Sequence, residues 1–177
     1  VPLEIIDSLR RPINPWRDWR SYVMLKKILR RFRPDVVHTH SAKGGMLGRA
    51  AAWSLGVPAV LHTVHGAPFH PYQGRAAQWF FQVCERWAAR RCHSMVSVAD
   101  AMTDLMVAAR VAPREKFTTV YSGMEVEPFL AADERRRRVR AELGYADEHV
   151  VIGKIARLFK LKGHDDVIRA AEKMIRG

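Results

Sequence analysis

Short runs rich in β-branched residues punctuate the chain at Leu3 to Ile6, Asp35 to His40, Ala59 to Val64, Met95 to Val98, Phe117 to Tyr121 and Val150 to Ile155. Runs of four to six residues have strand length and are too short for independent helices. Between them the apolar residues switch to helical spacing, which predicts helices over 16–32, 43–55, 74–91, 101–110, 133–143 and 164–175. In the first, Tyr22, Leu25, Ile28, Leu29 and Phe32 share one face; in the last, Val167, Ile168, Ala171, Met174 and Ile175 do. Pro34 and Pro58 stand just before strands, where a missing amide costs least. Strand, helix and strand in repetition build a parallel sheet covered by helices, because parallel neighbours need a long crossover rather than a tight turn. The expected class is therefore α/β, a Rossmann-like parallel sheet with flanking helices.

Between Ser122 and Leu130 the pattern loosens into Ser-Gly-Met-Glu-Val-Glu-Pro-Phe-Leu before a new helix and strand begin. This predicts a first domain over 1–123, a linker over 124–132, and the first helix and βα unit of a second Rossmann-like domain over 133–177. The charged run Glu134 to Arg138 on a helix reads as a solvated face.

Charge narrows the partners. Thirty Lys and Arg against 18 Asp and Glu leave +12, which attracts nucleic acid, anionic lipid or phosphorylated substrates. No nucleic-acid motif or regular interleaving of aromatic and basic residues is present, so nucleic acid is not the expected partner. The 16–32 helix sets Lys26, Lys27, Arg30, Arg31 and Arg33 against its apolar stripe, which suits either an anionic membrane surface or an ordinary docking helix with a basic outer face. No apolar run approaches the ~20 residues of a membrane span, and the N-terminus lacks the order of a signal peptide. Cys84 and Cys92 match neither a zinc spacing nor a disulfide framework and read as reduced thiols of a cytoplasmic protein.

In open α/β sheets ligands sit beyond the carboxyl ends of the strands, where helix N-termini offer unpaired amides. Two such corners are unusual. The first runs Val37-His38-Thr39-His40-Ser41-Ala42-Lys43-Gly44-Gly45-Met46-Leu47-Gly48-Arg49. Lys43 stands where a dinucleotide fingerprint needs its first glycine, which disfavours such a cofactor. Gly44 and Gly45 allow close approach of a ligand while Lys43 adds a full charge; alternatively, the turn only packs a helix tightly. The second corner, Gly153 to His164, carries Arg157, Lys160 and Lys162 in a loop between a strand and a helix. Arg157 and Lys162 suit one diphosphate, whereas the bland reading is a basic surface loop. The Walker spacing is absent. His38, His40, His62 and His65 suggest a metal, but no acidic residue lies between Asp35 and Glu85 to complete a ligand set, so none is expected. His65, followed by Gly66, reads as a cleft group for hydrogen bonding or acid/base work, or as a structural histidine.

Taken in order, Pro34-Asp35-Val36-Val37-His38-Thr39-His40-Ser41, His62-Thr63-Val64-His65-Gly66, Val120-Tyr121-Ser122-Gly123-Met124 with Phe129, and Ala156-Arg157-Leu158 through Lys162-Gly163 resemble the retaining glycosyltransferases of family four along essentially the whole chain. That family has a GT-B fold, two Rossmann-like domains facing a cleft. The resemblance implies a nucleotide-diphosphate sugar as donor and a glycan or lipid-linked acceptor, with retention of anomeric configuration, in cell-surface polysaccharide or lipopolysaccharide synthesis by bacteria. It implies that Arg157 and Lys162 neutralise the donor diphosphate in place of a metal, that His65 is the catalytic cleft histidine near the donor sugar, and that Ser41, Lys43, Gly44 and Gly45 line the acceptor side. Neither metal nor redox cofactor is expected. Many relatives work at the inner face of the bacterial membrane, so a cytoplasmic, peripherally attached location follows. Complete members are about twice as long. A strand and glycine loop before Val1, and a second half with paired glutamates after Gly177, are expected, and this piece is expected to be inactive alone. The alternatives are a sugar-nucleotide epimerase of related fold and a basic nucleic-acid-binding module.

Overall fold

The computed structural model describes residues 3–130 and 132–176, and of Glu134 the backbone only. The expected domain limits at Val1 and Gly177, and Ala131 of the expected linker, lie outside the described residues. The chain divides into two units, Val1–Ser122 and Gly123–Gly177.

The first unit opens with α1 (Pro15–Phe32), whose start the sequence specifies atom by atom. Asn14 Oδ1 accepts from the Arg17 amide at 3.0 Å, and Asp18 accepts from the Asn14 amide at 3.1 Å. This reciprocal capping, with Pro15 in the first turn, satisfies donors that a helix N-terminus leaves orphaned. After α1 the strands β1 (Val36–His40), β2 (Ala59–Val64), β3 (Ser94–Ser97) and β4 (Phe117–Thr119) form one parallel sheet in that order. Val36 pairs with Ala59, Leu61 with Ser94 and Met95 with Phe117. The crossovers are α2 (Ala42–Ser54), α3 (Arg75–Ala89) and α4 (Asp100–Ala108). Right-handed crossovers between strands laid down in one direction put all three helices on one face. Burial follows: Thr39, Val60, His62, Val64, Met95 and Ser97 point under the helices and are buried, while Val36, His38 and His40 on the opposite face are exposed.

The core lies between helices and sheet, where Val60, Val64, Met95 and Met106 meet Ala52, Ala89 and Cys92. Small alanines on α2 and α3 let the helices lie close to the strands. Deeper still, Arg49 of α2 is fully buried and pairs with Glu85 of α3 at 3.0 Å, while its Nε donates to the Gly45 carbonyl. The pair clasps the two crossover helices. Beside them α1 packs against α2, its Tyr22, Leu25, Ile28 and Leu29 stripe half-buried and Leu29 reaching the core.

The second unit contains α5 (Glu127–Leu130), α6 (Asp133–Glu142), a 3₁₀ turn at Lys160–Lys162 and α7 (His164–Arg176). Part of the expected linker is thus helical. Among its described residues Arg140 alone is buried. The Arg140 guanidinium donates to the carbonyls of Ala146, Asp147 and His149, closing the turn after α6.

Two expected strands are absent. Neither 3–6 nor 150–155 forms a ladder, because among the described residues no strand runs beside either. A β-branched run becomes a strand only when a neighbour takes its amides and carbonyls. Without one, Ile5 stands 75% exposed and Ile155 fully so.

Candidate functional site

Within the first unit, the carboxyl ends of β1 and β2 gather the chemistry. Alternation along the strands sends Thr39 and His62 under the helices and sends His38, His40 and His65 to the open face. Under the helices, His62 Nδ1 lies 2.9 Å from Thr39 Oγ1. The Thr39 hydroxyl donates to the Leu61 carbonyl at 3.0 Å, so its oxygen accepts the Nδ1–H of His62. Burial first, and then the Arg49 guanidinium, push His62 from its ordinary 6.5 to about 3. It is a neutral, structural imidazole.

On the open face the register sets His40 opposite Thr63, which makes His65 its diagonal neighbour. His40 Nδ1 and His65 Nε2 share a hydrogen bond of 3.0 Å, with the rings stacked at 5.2 Å. His38 lies behind His40, ring centroids 4.3 Å apart, and bonds the Thr63 hydroxyl at 2.7 Å. Partial burial and the neighbouring imidazoles of His38 and His65 lower the His40 pKa. Among the described residues no cluster of three or more ligating side chains has metal-site geometry.

The turn after β1 is strained at Ser41, whose φ of 60° is unusual for a residue with a side chain. Ser41 is exposed and its carbonyl accepts the Gly45 amide, starting α2. Lys43 turns away from the strand ends: its ammonium pairs with Asp18 of α1 at 2.7 Å and donates to the Pro12 carbonyl at 2.5 Å. The charge that sequence spacing offers to a ligand is thus engaged by α1. A lysine reaches Asp18 because both side chains are mostly buried between α1 and α2, where each charge needs the other. Gly45 and Gly48 are packing glycines. A Cβ on Gly45 would stand 2.3 Å from His62 Cε1, and one on Gly48 2.8 Å from Thr39 Cγ2. Gly44 is looser, its Cβ position 3.3 Å from Ser41 Oγ.

A hydroxyl cluster escaped sequence reasoning. Ser97 at the end of β3 bonds Thr103 at 2.6 Å and meets Thr119 at 3.3 Å. Beside it the Tyr121 hydroxyl donates to Asp100 at 2.5 Å. That bond, and then one from Thr119, hold the Asp100 carboxyl below the usual range, while the bond to Asp100 and its negative charge raise the Tyr121 phenol. The sequence signal was slight: Tyr121 closes the expected strand 117–121 and stands in the Val120-Tyr121-Ser122-Gly123-Met124 stretch.

The second unit holds the basic loop. Its two ends are tied: Lys154 Nζ donates to the Gly163 carbonyl at 2.9 Å, and His164 Nε2 donates to the Arg157 carbonyl at 2.8 Å. Gly163 takes a φ of 62° between the 3₁₀ turn and α7, a conformation glycine supplies without strain. Arg157 and Lys162 are exposed on this loop, and among the described residues no acidic side chain pairs with either. Asp165 and Asp166 occupy the first turn of α7 and complement its dipole, so the loop's positive charge comes from the side chains of Arg157, Lys160 and Lys162 rather than from the helix end. A hollow of about 520 Å³ beside α6, lined by Val139, Leu143, Tyr145 and Val151 among others, includes neither cation.

Comparison with known proteins places this arrangement. Residues 2–123 match the family described as glycosyl transferase 4-like domain. Over 170 residues the chain is 28% identical to a UDP-Gal:alpha-D-GlcNAc-diphosphoundecaprenol alpha-1,3-galactosyltransferase of Escherichia coli, an alignment that takes in 96% of this chain and 44% of that protein. It is 32% identical over 148 residues to D-inositol 3-phosphate glycosyltransferase 1 of Catenulispora acidiphila, covering 80% of this chain and 34% of the relative. The chain therefore spans less than half the length of these curated relatives. Its fold resembles the crystal structure of a glycosyltransferase from Rickettsia africae ESF-5, with a TM-score of 0.63 and 17% identity over 93% of this chain and 42% of that one.

Proposed function

Because this chain belongs to the glycosyl transferase 4-like family, we propose that the whole protein moves a sugar from a nucleotide-diphosphate donor to a glycan or lipid-linked acceptor, retaining the anomeric configuration. The observation that carries this reading is the tied loop of the second unit with Arg157 and Lys162 exposed on it and unpaired with acids among the described residues. As the bond to the sugar breaks, the departing diphosphate gains negative charge while the sugar approaches an oxocarbenium ion. Fixed cations favour that transition state more than the ground state, which is the condition for catalysis. An arginine grips two phosphate oxygens and a lysine supplies a point charge, so this pair takes the role that a divalent metal fills elsewhere. His65, neighboured by His40, serves the sugar side as a hydrogen-bonding or acid/base group, and Ser41 and Gly44 border the acceptor side. The E. coli relative is named for UDP-galactose and a diphosphoundecaprenol-linked acceptor, and a lipid-linked acceptor of this kind fits a role in surface polysaccharide synthesis.

Calorimetric titration of the whole protein with UDP-galactose and other nucleotide sugars tests the donor site. Arg157→Ala and Lys162→Ala should each weaken the preferred donor about ten- to a hundredfold, the scale of a lost charge-assisted hydrogen bond. Unchanged affinity in both variants would remove the diphosphate assignment.

Contact with an anionic membrane is part of the same proposal. Among the described residues no helix is long and apolar enough to cross a membrane. The apolar stripe of α1 packs on α2, so α1 offers its basic face with Trp16 and Trp19. Trp79, Val83 and Trp87 stand exposed along one side of α3, with the Arg91 guanidinium 3.7 Å from the Trp87 ring centre. Tryptophan beside arginine is the composition of a membrane interface. Vesicle sedimentation should show binding to anionic but not neutral lipid, weakened in Trp79→Ala/Trp87→Ala; equal binding to both vesicles counts against it.

A further inference from the structure

We infer that His40 is a positioning residue for His65: it occupies His65 Nε2 and so leaves Nδ1 as the nitrogen that the ring presents at the strand ends. The bond between His40 Nδ1 and His65 Nε2 is 3.0 Å long, and stacking at 5.2 Å limits rotation of the His65 ring. His40 is itself braced. His38 sits against its ring at 4.3 Å and is anchored on the hydroxyl of Thr63, which is 94% buried, its exposure being 6%. A chain of contacts therefore runs from the sheet interior through Thr63, His38 and His40 to His65, across the β1–β2 pairing.

Two imidazoles joined nitrogen to nitrogen hold one proton between them when both are neutral, so the tautomer of one dictates that of the other. Partial burial, and then the neighbouring imidazoles of His38 and His65, lower the His40 pKa and so favour its neutral form as the partner of His65. Sequence periodicity supplies the arrangement cheaply. His38 and His40 share a face because they are two apart on β1, and His65 meets them because it follows β2 by one residue. An exposed histidine without such a partner would sample several rotamers and both tautomers.

This inference rests on the reading of His65 given above, and the two fail by different measurements. Ring-nitrogen NMR on the whole protein labelled with ¹⁵N-histidine, with His65→Ala used for identification, reads the tautomer without any ligand. Wild type should show a single dominant His65 tautomer with Nε2 hydrogen-bonded. His40→Ala should lower the tautomer ratio by about three- to tenfold, the effect of one net hydrogen bond. His40→Asn should restore most of it, because the asparagine amide sits where Nδ1 sits, whereas His40→Gln should not. A His65 ring signature unchanged in His40→Ala, or equal changes in the Asn and Ala variants with native circular dichroism in both, overturns the inference. Undiminished UDP release by His65→Ala would instead overturn the functional reading of His65, and the NMR result would stand apart from it.

Discussion

His62 shows how one residue sets a condition on the whole domain. It is buried against Gly45, and its pKa falls to about 3 in the folded chain against 6.5 when unfolded. Between those values the unfolded chain binds a proton that the folded chain refuses, so stability falls as pH drops below 6.5 and is fully retained above it. The slope is about 1.4 kcal/mol per pH unit, or about 2 kcal/mol between pH 6.5 and 5. Urea unfolding at those two pH values should show that loss, and His62→Gln should flatten it. The same residue explains what could be read from the sequence and what could not. Glycines after β1 were legible as a place where something approaches the backbone. Whether the visitor was a ligand or an imidazole from 17 residues downstream depended on the β1–β2 register. Lys43 was likewise legible as a cation at a helix start, but its partner Asp18 lies on an element whose docking no local pattern specifies.

At the level of elements, the strands that were legible are those with a neighbour on at least one side. Ala59–Val64 matches its predicted span because β2 lies between β1 and β3 and most of it is buried. The runs at 3–6 and 150–155 have similar composition and form no strand, since strand formation is a property of a pair. Helices fared better because their hydrogen bonds are internal, and caps such as Asn14 and Pro15 mark their starts. The clasp between α2 and α3 is a different matter. Arg49 and Glu85 are almost wholly removed from water, so truncating one strands the other. Glu85→Ala should cost about 3–5 kcal/mol, whereas the double variant Arg49→Met/Glu85→Leu should be neutral or stabilising. Denaturant melts of the two proteins decide. A Glu85→Ala variant as stable as wild type would mean that the clasp holds nothing.

Over the whole molecule, the two units differ in kind. The first has a continuous core under three helices; in the second, Arg140 alone is buried among the described residues. Amide exchange should therefore be slowest in β2 and β3 and fast throughout 150–158, whose amides sit outside any ladder. Equal protection in both units would contradict the contrast in burial. The two units meet at Ser122, and α5 lies in the stretch expected to be linker; it was not legible there, because four residues leave no period to detect. The one-sided coverage of the sheet carries a practical consequence. With α2, α3 and α4 on one side of the sheet and β1 at a margin without a partner among the described residues, the first unit offers other chains a row of vacant amides. Handled at high concentration, it should be adhesive, and solution conditions that favour chain separation will matter more for it than for a barrel or a sheet clad on both sides.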